Sequence, residues 1–239
     1  MNTYVYGIAR NSPELERASR TGGVGDPPRP VRVLGRGRLA ALVSDAPEDL
    51  RPKRRDLLAH QHVLTEAGAA GTVLPLRFGG VSADDETVAT ALADREEHYL
   101  KRLDAVDGKA EYNVKAEHDE EAVLHQVLAD DPELRAMGAA QQAAGGGSQE
   151  EKLRLGELIV TAVRRREELD REQVHRALAD TAAASSPGPD SSGWVANLSY
   201  LVERERAEEF LTAAREFQRD NPQLRLQING PLPPYSFVE

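Results

Sequence analysis

The clearest pattern in the chain is the alternation of apolar and polar positions in its second half. In 112–116, 194–202 and 224–228, every second residue is apolar. Strict period-two alternation gives a strand one buried face and one wet face, which is typical of an antiparallel sheet covered on one side. Between the last two segments, apolar residues follow helical spacing over about 205–219, and Asn221-Pro222 ends that stretch. The pattern predicts a strand, then a strand–helix–strand unit.

The first half of the chain predicts the order β, short α, β, β, α, β, followed by one more helix. That order matches the ferredoxin-like arrangement, a sheet with helices on one face. The predicted elements are a strand at 3–9, a short helix capped by Ser12, a hairpin at 31–44 turning at Gly35-Arg36-Gly37, a helix at about 53–69, an edge or bulged strand within 71–80, and a helix at about 84–106.

These patterns predict an α+β protein of two domains. The first, 1–108, is a ferredoxin-like α+β domain. The second, 109–239, is an antiparallel sheet covered by helices and related to the ferredoxin-like arrangement. It carries a helical insertion at about 119–182, formed by helices at 119–137 and 149–182, and ends in a segment rich in proline and aromatic residues. We call that segment, GPLPPYSFVE at 230–239, the tail.

Two stretches beside the second insertion helix have the composition of flexible linkers. AQQAAGGGSQ at 140–149 and AAASSPGPDSSG at 182–193 consist almost wholly of small and polar residues. They bracket the helix, so the sequence predicts that it moves as a unit.

Composition and charge narrow the classes of function. The net charge of −10 argues against general nucleic-acid binding, which needs a basic surface. The absence of cysteine excludes disulfides, thiolate metal sites and cysteine nucleophiles. The N-terminal residues lack the layout of a signal peptide, and no apolar run approaches the roughly 18 residues that a membrane-spanning helix needs. We therefore expect a cytoplasmic protein.

No segment predicts a catalytic or metal site. TGGVGDPP at 21–28 lacks the spacing of a phosphate-binding loop. His60 and His62 lie on opposite sides of a predicted helix, so they cannot share a metal ion; His60 is expected at the edge of the core with a hydrogen-bonded partner. No serine or threonine is paired with a base. We predict no catalytic residue, no metal and no cofactor, and therefore a binding or structural protein rather than an enzyme.

Two apolar segments are the candidates for partner binding. VLPLRFGG at 73–80 places an arginine between a leucine and a phenylalanine, and the tail places aromatic residues after a stiff polyproline lead-in. Both could pack on their own domain, with the tail covering a sheet edge, or could dock a partner by edge augmentation or aromatic insertion. The candidate partner-binding residues are Leu76, Arg77, Phe78, Pro234, Tyr235 and Phe237.

Five short motifs resemble the gas vesicle protein GvpL/GvpF family, in the same order and over nearly the whole chain. They are Tyr4-Val5-Tyr6-Gly7-Ile8, Val73-Leu74-Pro75-Leu76-Arg77-Phe78-Gly79, Tyr112-Asn113-Val114-Lys115, Asn197-Leu198-Ser199-Tyr200-Leu201-Val202 and Gly230-Pro231-Leu232-Pro233-Pro234-Tyr235-Ser236-Phe237. The resemblance leaves open whether the chain is an L-type or an F-type member.

The resemblance implies a minor structural or accessory protein of gas vesicle assembly. Its implied partners are the very hydrophobic major shell protein and other accessory gas vesicle proteins, and its implied fold is two α+β domains, the first a modified ferredoxin-like one. No catalytic residue comes with the family. Two other functions stay open: a small-ligand or enzymatic module on a ferredoxin-like sheet, and an adaptor that binds accessory proteins through the 149–182 helix.

Overall fold

A computed structural model describes residues 2–18, 21–143, 145–189 and 193–238. By its internal contacts the chain forms two compact units. The first unit comprises Met1–Glu111 and Gly230–Glu239, and the second comprises Tyr112–Asn229. The tail therefore belongs with the first unit, whereas the sequence pattern grouped it with the second half of the chain. The domain boundary at 108–109 stays a prediction.

The first unit is built around a mixed set of short strands and helices. Its elements are β1 (Thr3–Arg10), α1 (Pro13–Ala18), β2 (Arg32–Arg36), β3 (Leu39–Asp45), α2 (Arg54–Ala70), β4 (Val73–Pro75), β5 (Val81–Ser82), α3 (Asp85–Asp94) and α4 (Glu96–Val106). The sheet runs in the order β2-β3-β1-β4, with β5 also paired to β1, and every pairing is antiparallel.

Strand β1 lies at the centre of this sheet, and all its residues except Arg10 are buried. Its register to β3 shifts between Val5 and Gly7. A Cβ at Gly7 would lie 2.8 Å from a methyl carbon of Leu64 and 2.9 Å from the carbonyl oxygen of Leu74. The glycine is therefore required for α2 and β4 to pack closely on the central strand.

The second unit is a four-stranded sheet with helices. Its elements are β6 (Lys109–His118, most of which lies in this unit), α5 (Glu120–Asp130), α6 (Pro132–Ala143), α7 (Gln149–Ala179), β7 (Ala184–Pro187), β8 (Ala196–Glu203), α8 (Ala207–Asp220) and β9 (Leu224–Leu232). The strand order is β7-β8-β6-β9. Phe210 on α8 is fully buried and packs against the rings of Tyr112 and Tyr200, at 5.3 and 5.4 Å between centroids. The three predicted strands and the apolar stripe of α8 are confirmed, but in β8 the predicted wet face is also buried, at Ser199 and Leu201.

Several predicted elements differ from the structure for local reasons. The helix predicted at 84–106 is two helices, because Arg95 leaves helical geometry at φ −120°. The helix predicted at 119–137 is also two, because the Asp131 carboxylate accepts hydrogen bonds from the backbone N–H groups of Glu133 and Leu134 and starts α6. The hairpin turns at Gly37-Arg38. Gly37 belongs to the predicted turn and has a φ of +59° that favours glycine, whereas Gly35 and Arg36 are still paired in β2.

Two short strands differ from the prediction: β4 is shorter than predicted, and β7 was not predicted. Only Val73–Pro75 of the apolar segment 71–80 is a strand. The linker predicted at 182–193 contains β7, four small residues paired to β8; Asp190, Ser191 and Ser192 lie outside the described residues. The structure thus has eight α-helices and two antiparallel sheets within its described ranges.

Candidate functional site

The segment at 76–80 is fixed to the core of the first unit by four hydrogen bonds. The Leu76 N–H donates to the Tyr6 carbonyl oxygen at 2.8 Å, and the Val5 N–H donates to the Gly80 carbonyl oxygen at 2.9 Å. The Leu76 carbonyl oxygen lies 3.0 Å from His60 Nε2, and the Gly79 N–H donates to the Tyr4 hydroxyl at 3.3 Å. A segment held this way presents its side chains in fixed positions although it is not a strand.

His60 is the buried residue that organises these contacts. Since a carbonyl oxygen only accepts, His60 Nε2 carries the proton that is donated to Leu76. His60 Nδ1 is then an acceptor, and the Tyr4 hydroxyl donates to it at 2.8 Å. Burial lowers the pKa of His60 despite the bond to Leu76, so the neutral ring is the stable form. The prediction of a core-edge histidine with a hydrogen-bonded partner is confirmed.

Aromatic rings surround His60 and complete the core beneath the segment. The imidazole stacks on Tyr6 at 5.5 Å, and Phe78 meets both His60 and Tyr4 at 5.9 Å between centroids. The Tyr6 hydroxyl lies 3.0 Å from the Ser44 hydroxyl and accepts from the Val24 N–H at 2.9 Å. Burial raises the pKa of both Tyr4 and Tyr6, so both hydroxyls stay neutral hydrogen-bonding groups.

The tail packs against the same core as Phe78. Pro234 is buried, and Tyr235 is half-buried against the cluster that contains Tyr4 and Tyr6. Burial raises the pKa of Tyr235 to about 12, and the nearby Glu111 carboxylate adds to the rise. The tail is thereby seated on its own first unit.

A buried carboxylate holds the tail next to Tyr235. Glu111 is only 4% exposed, and its two oxygens accept hydrogen bonds from the Ser236 N–H and the Ser236 hydroxyl, each at 2.8 Å. Hydrogen bonds to a charged acceptor are stronger than neutral ones. Glu111 and Ser236 were not among the predicted residues. Strand alternation predicts that Glu111 lies on the wet face of β6, whereas the structure buries it next to the tail.

The structure therefore brings the two candidate segments to one core cluster. Phe78 and Tyr235 both pack on it, while Leu76 and Phe237 are half-buried and Arg77 is exposed. That the six residues form one partner-binding surface stays a prediction; what the structure shows is that Phe78 and Tyr235 pack on the same cluster. Within the described residues, no group of three or more His, Asp or Glu side chains could hold a metal ion.

Comparison with known proteins places the chain in a family. The family described as "Gas vesicle synthesis protein GvpL/GvpF" matches residues 2–239. The chain belongs to the GvpL/GvpF family. It has a role in gas vesicle formation, as the family's name and its relatives' names indicate.

The relatives of this GvpL/GvpF chain extend over its whole length. It is 62% identical over 240 residues to gas vesicle protein F of Streptomyces sp. (strain CB03234), with each chain fully covered. Gas vesicle protein L of the same strain is 28% identical and is matched over 92% of its length and 98% of this chain. The crystal structure of GvpF from Anabaena sp. PCC7120 matches all of this chain and 98% of its own at a TM-score of 0.79 and 26% identity. The structure of GvpF from Microcystis aeruginosa matches at 0.74 and 27%, covering 100% of this chain and 99% of its own.

The second unit of this family member contains one buried ionic cluster, centred on Asp170. Asp170 is fully buried and accepts from His118 Nε2 at 2.8 Å, from Arg166 Nη2 at 2.7 Å and from Gln223 Nε2 at 3.3 Å. Although burial alone would raise it, these partners hold the pKa of Asp170 below its usual range. The cluster joins α7 to the ends of β6 and β9, which is a structural role.

No helix in the parts of the chain that the structure describes is both long and apolar enough to cross a membrane.

Proposed function

We propose that this chain is an accessory or minor structural protein of gas vesicle assembly. It binds the hydrophobic major shell protein, other accessory gas vesicle proteins, or both, and either keeps shell subunits from aggregating or nucleates the shell. The role is one of binding and involves no catalysis. The observation that carries the proposal is the convergence of Phe78 and Tyr235, 157 positions apart in the numbering, on one core cluster beside the exposed Arg77.

The physical basis is the character of a shell that holds gas. Its gas-facing side must be strongly apolar, so unassembled subunits expose apolar area and aggregate. A chain with a net charge of −10 would keep a complex with such a subunit dispersed. Half-buried apolar edges on a rigid base give the binding contact without aggregation of the accessory protein itself.

The six candidate residues contribute differently in this proposal. Leu76, Phe78 and Phe237 each keep part of their apolar surface accessible and supply the contact. Arg77 is exposed and orients the partner by charge. Pro234 is buried and Tyr235 is packed on the core, so these two position the contact residues rather than form the outer surface.

Several finer assignments belong to the same proposal. Identity of 62% to protein F against 28% to protein L of one strain supports an F-type member. The strand order β2-β3-β1-β4, with all pairings antiparallel, supports a modified ferredoxin-like domain in 1–108 and a two-domain protein. We place the protein in the cytoplasm, associated with the vesicle.

Co-expression with the major shell protein tests the binding proposal. The tagged chain should co-purify with the shell protein and raise its soluble fraction. Phe237→Ala and Arg77→Glu should each reduce capture by about tenfold or more, as expected when an interface anchor is removed. Arg36→Glu makes the same charge change at another exposed arginine of the first unit and should leave capture unchanged.

Folding has to be measured in parallel with capture. Each variant should retain the circular dichroism spectrum and melting temperature of the parent chain to within a few degrees. Equal capture by the Phe237→Ala, Arg77→Glu and Arg36→Glu chains would contradict the assigned surface. No capture by a folded parent chain would contradict shell-protein binding and favour an adaptor among accessory proteins.

A further inference from the structure

Helix α7 uses only part of its circumference for packing inside the second unit. It begins with a capping box, in which Ser148 and Glu151 exchange hydrogen bonds. Leu155, Ala162 and Val163 pack on the cluster formed by α5 and α6. Val174 further along the helix is fully buried. The first half of the helix therefore has one side on the protein and the other side in solvent.

The solvent side of that first half is apolar along its centre. Leu153 is 66% exposed and Val160 is 51% exposed, and Gly156 lies between them. Residues 3, 4 and 7 apart share one face of a helix, so these three form a continuous stripe. Gly156 has open space in front of it, and the three residues line a shallow depression together with Lys152, Glu157 and Thr161. A second helix can approach closely at this point because glycine has no side chain.

Charges of alternating sign line one flank of the stripe. At 100° per residue, Glu150, Arg154, Glu157 and Arg164 project within about 100° of Leu153 on the same side of the helix. All four are exposed, and none of them forms an ion pair with another described residue of the chain. The order along the flank is negative, positive, negative, positive.

We propose that this face of α7 binds the same face of a second copy of the chain, with the two helices antiparallel. Leu153 lies opposite the partner's Val160, and Val160 lies opposite the partner's Leu153. In that register, Glu150 meets the partner's Arg164 and Arg154 meets the partner's Glu157. Both contacts occur twice because the arrangement is an isologous two-fold interface.

The charge pattern favours a second copy over other occupants. In an antiparallel pair, the flank of one copy runs alongside the same flank of the other copy in the reverse direction. Each charge then meets a charge of opposite sign, so the face is complementary to itself. Two glutamates and two arginines leave the flank without net charge, whereas an anionic lipid surface or an acidic peptide would need a basic face. The contact spans about 21 Å of helix, from Glu150 to Arg164, so the interface is small and the dimer forms in a concentration-dependent manner. This inference does not depend on the proposed function.

Cross-linking through single introduced cysteines tests the register. The chain has no cysteine, so one substitution supplies the only thiol. In the proposed register, Gly156 and the partner's Gly156 are offset by about 1.5 Å along the axis, and a Gly156→Cys chain should form a disulfide-linked dimer on mild oxidation. Leu169→Cys is the matched control on the same helix; Leu169 is 49% exposed, but the two copies of it lie about 37 Å apart along the axis.

Charge reversal tests the complementarity without new thiols. Arg154→Glu places two glutamates opposite each other on both sides of the two-fold axis and should weaken the dimer seen by sedimentation at least tenfold. The double variant Arg154→Glu with Glu157→Arg restores opposite charges across the interface and should restore the dimer. Three outcomes would each overturn the proposal. The first is equal cross-linking of the Gly156→Cys and Leu169→Cys chains. The second is a parent chain that is monomeric at about 100 μM together with no cross-link in the Gly156→Cys chain, and the third is a double variant that does not recover the dimer.

Discussion

His60 is a titratable side chain that the fold keeps neutral. Its two ring nitrogens have opposite roles, one donating to Leu76 and one accepting from Tyr4. Protonation would give both nitrogens a hydrogen and remove the acceptor that the Tyr4 hydroxyl uses. At the scale of single residues, the candidate surface therefore depends on one proton being in the right place.

The pH dependence of stability should reveal this residue. The folded state lowers the pKa of His60. Below about pH 6.5, His60 is therefore protonated in the unfolded chain while it is still neutral in the folded chain. Stability should fall as the pH drops through that range, by up to about 1.4 kcal/mol per pH unit for one proton. Thermal unfolding of the parent, His60→Gln and His62→Gln chains between pH 8 and pH 5 measures the slope.

The histidine two positions away is the matched control for that experiment. His62 is exposed, so His62→Gln should keep the slope of the parent chain, whereas His60→Gln should flatten it. Equal slopes in all three chains would show that His60 does not titrate differently on unfolding.

At the scale of elements, α7 owes its position to the ionic cluster at Asp170. The Asp170 carboxylate joins an arginine of its own helix to a histidine on β6 and a glutamine beside β9. A buried charge without its partners is far less stable than the intact set. The helix is consequently fixed in its second half, while its first half presents the exposed stripe.

Removing the charge of Asp170 should destabilise the second unit. Asp170→Asn removes the anion that Arg166 and His118 share, leaves Arg166 only the longer pair with Asp130 at 3.6 Å, and should reduce the free energy of unfolding by about 2–4 kcal/mol. Urea unfolding can be followed through the fluorescence of Trp194, the only tryptophan, which lies half-buried in this unit. Glu172→Gln is the control: its ion pair with Arg176 is long and exposed, so the loss should stay within about 0.5 kcal/mol, and a similar loss in both chains would contradict the role of the cluster.

Sequence patterns predicted the elements that bury one regular face. The stripe of α8 and the alternation of β6 and β9 follow from burial alone, so periodicity is enough to find them. The period of β8 locates the strand, although both of its faces are partly buried. The breaks at Arg95 and Asp131 were missed, because one residue that leaves helical geometry does not disturb an apolar period. Strand β7 was missed because Ala184–Pro187 pairs through its backbone and has no apolar signature.

At the scale of the whole molecule, the tail belongs to the unit built from the other end of the sequence. Ser236 bonds to Glu111, 125 positions earlier, and Tyr235 joins a cluster that includes Tyr4. The composition of the tail predicts a segment that either packs on its own domain or docks a partner, and it favours neither alternative. The residue that holds the tail on its own unit is Glu111, a charged side chain at a position where strand alternation predicts exposure.

The Glu111 carboxylate should determine how firmly the tail is held. Glu111→Ala removes both bonds to Ser236 and should cost about 1–3 kcal/mol, whereas Glu111→Gln keeps the shape and part of the bonding. Hydrogen exchange of the 230–238 peptide measures the effect: protection should be lost in the alanine variant and largely kept in the glutamine variant. Glu117→Ala, on the same strand, should leave tail protection unchanged, and unchanged protection in Glu111→Ala would contradict the assigned contact.

The seat of the tail also sets an order of events during synthesis on the ribosome. Residues 2–111 emerge first, but the cluster around Tyr4 is completed only by residues that follow the 118 positions of the second unit. Until translation passes Tyr235, the nascent chain carries a first core in which the apolar area that Tyr235 packs against is uncovered. A chain that stalls before that point would present this apolar area to chaperones and proteases, so completion of the surface reports that the second unit has been made.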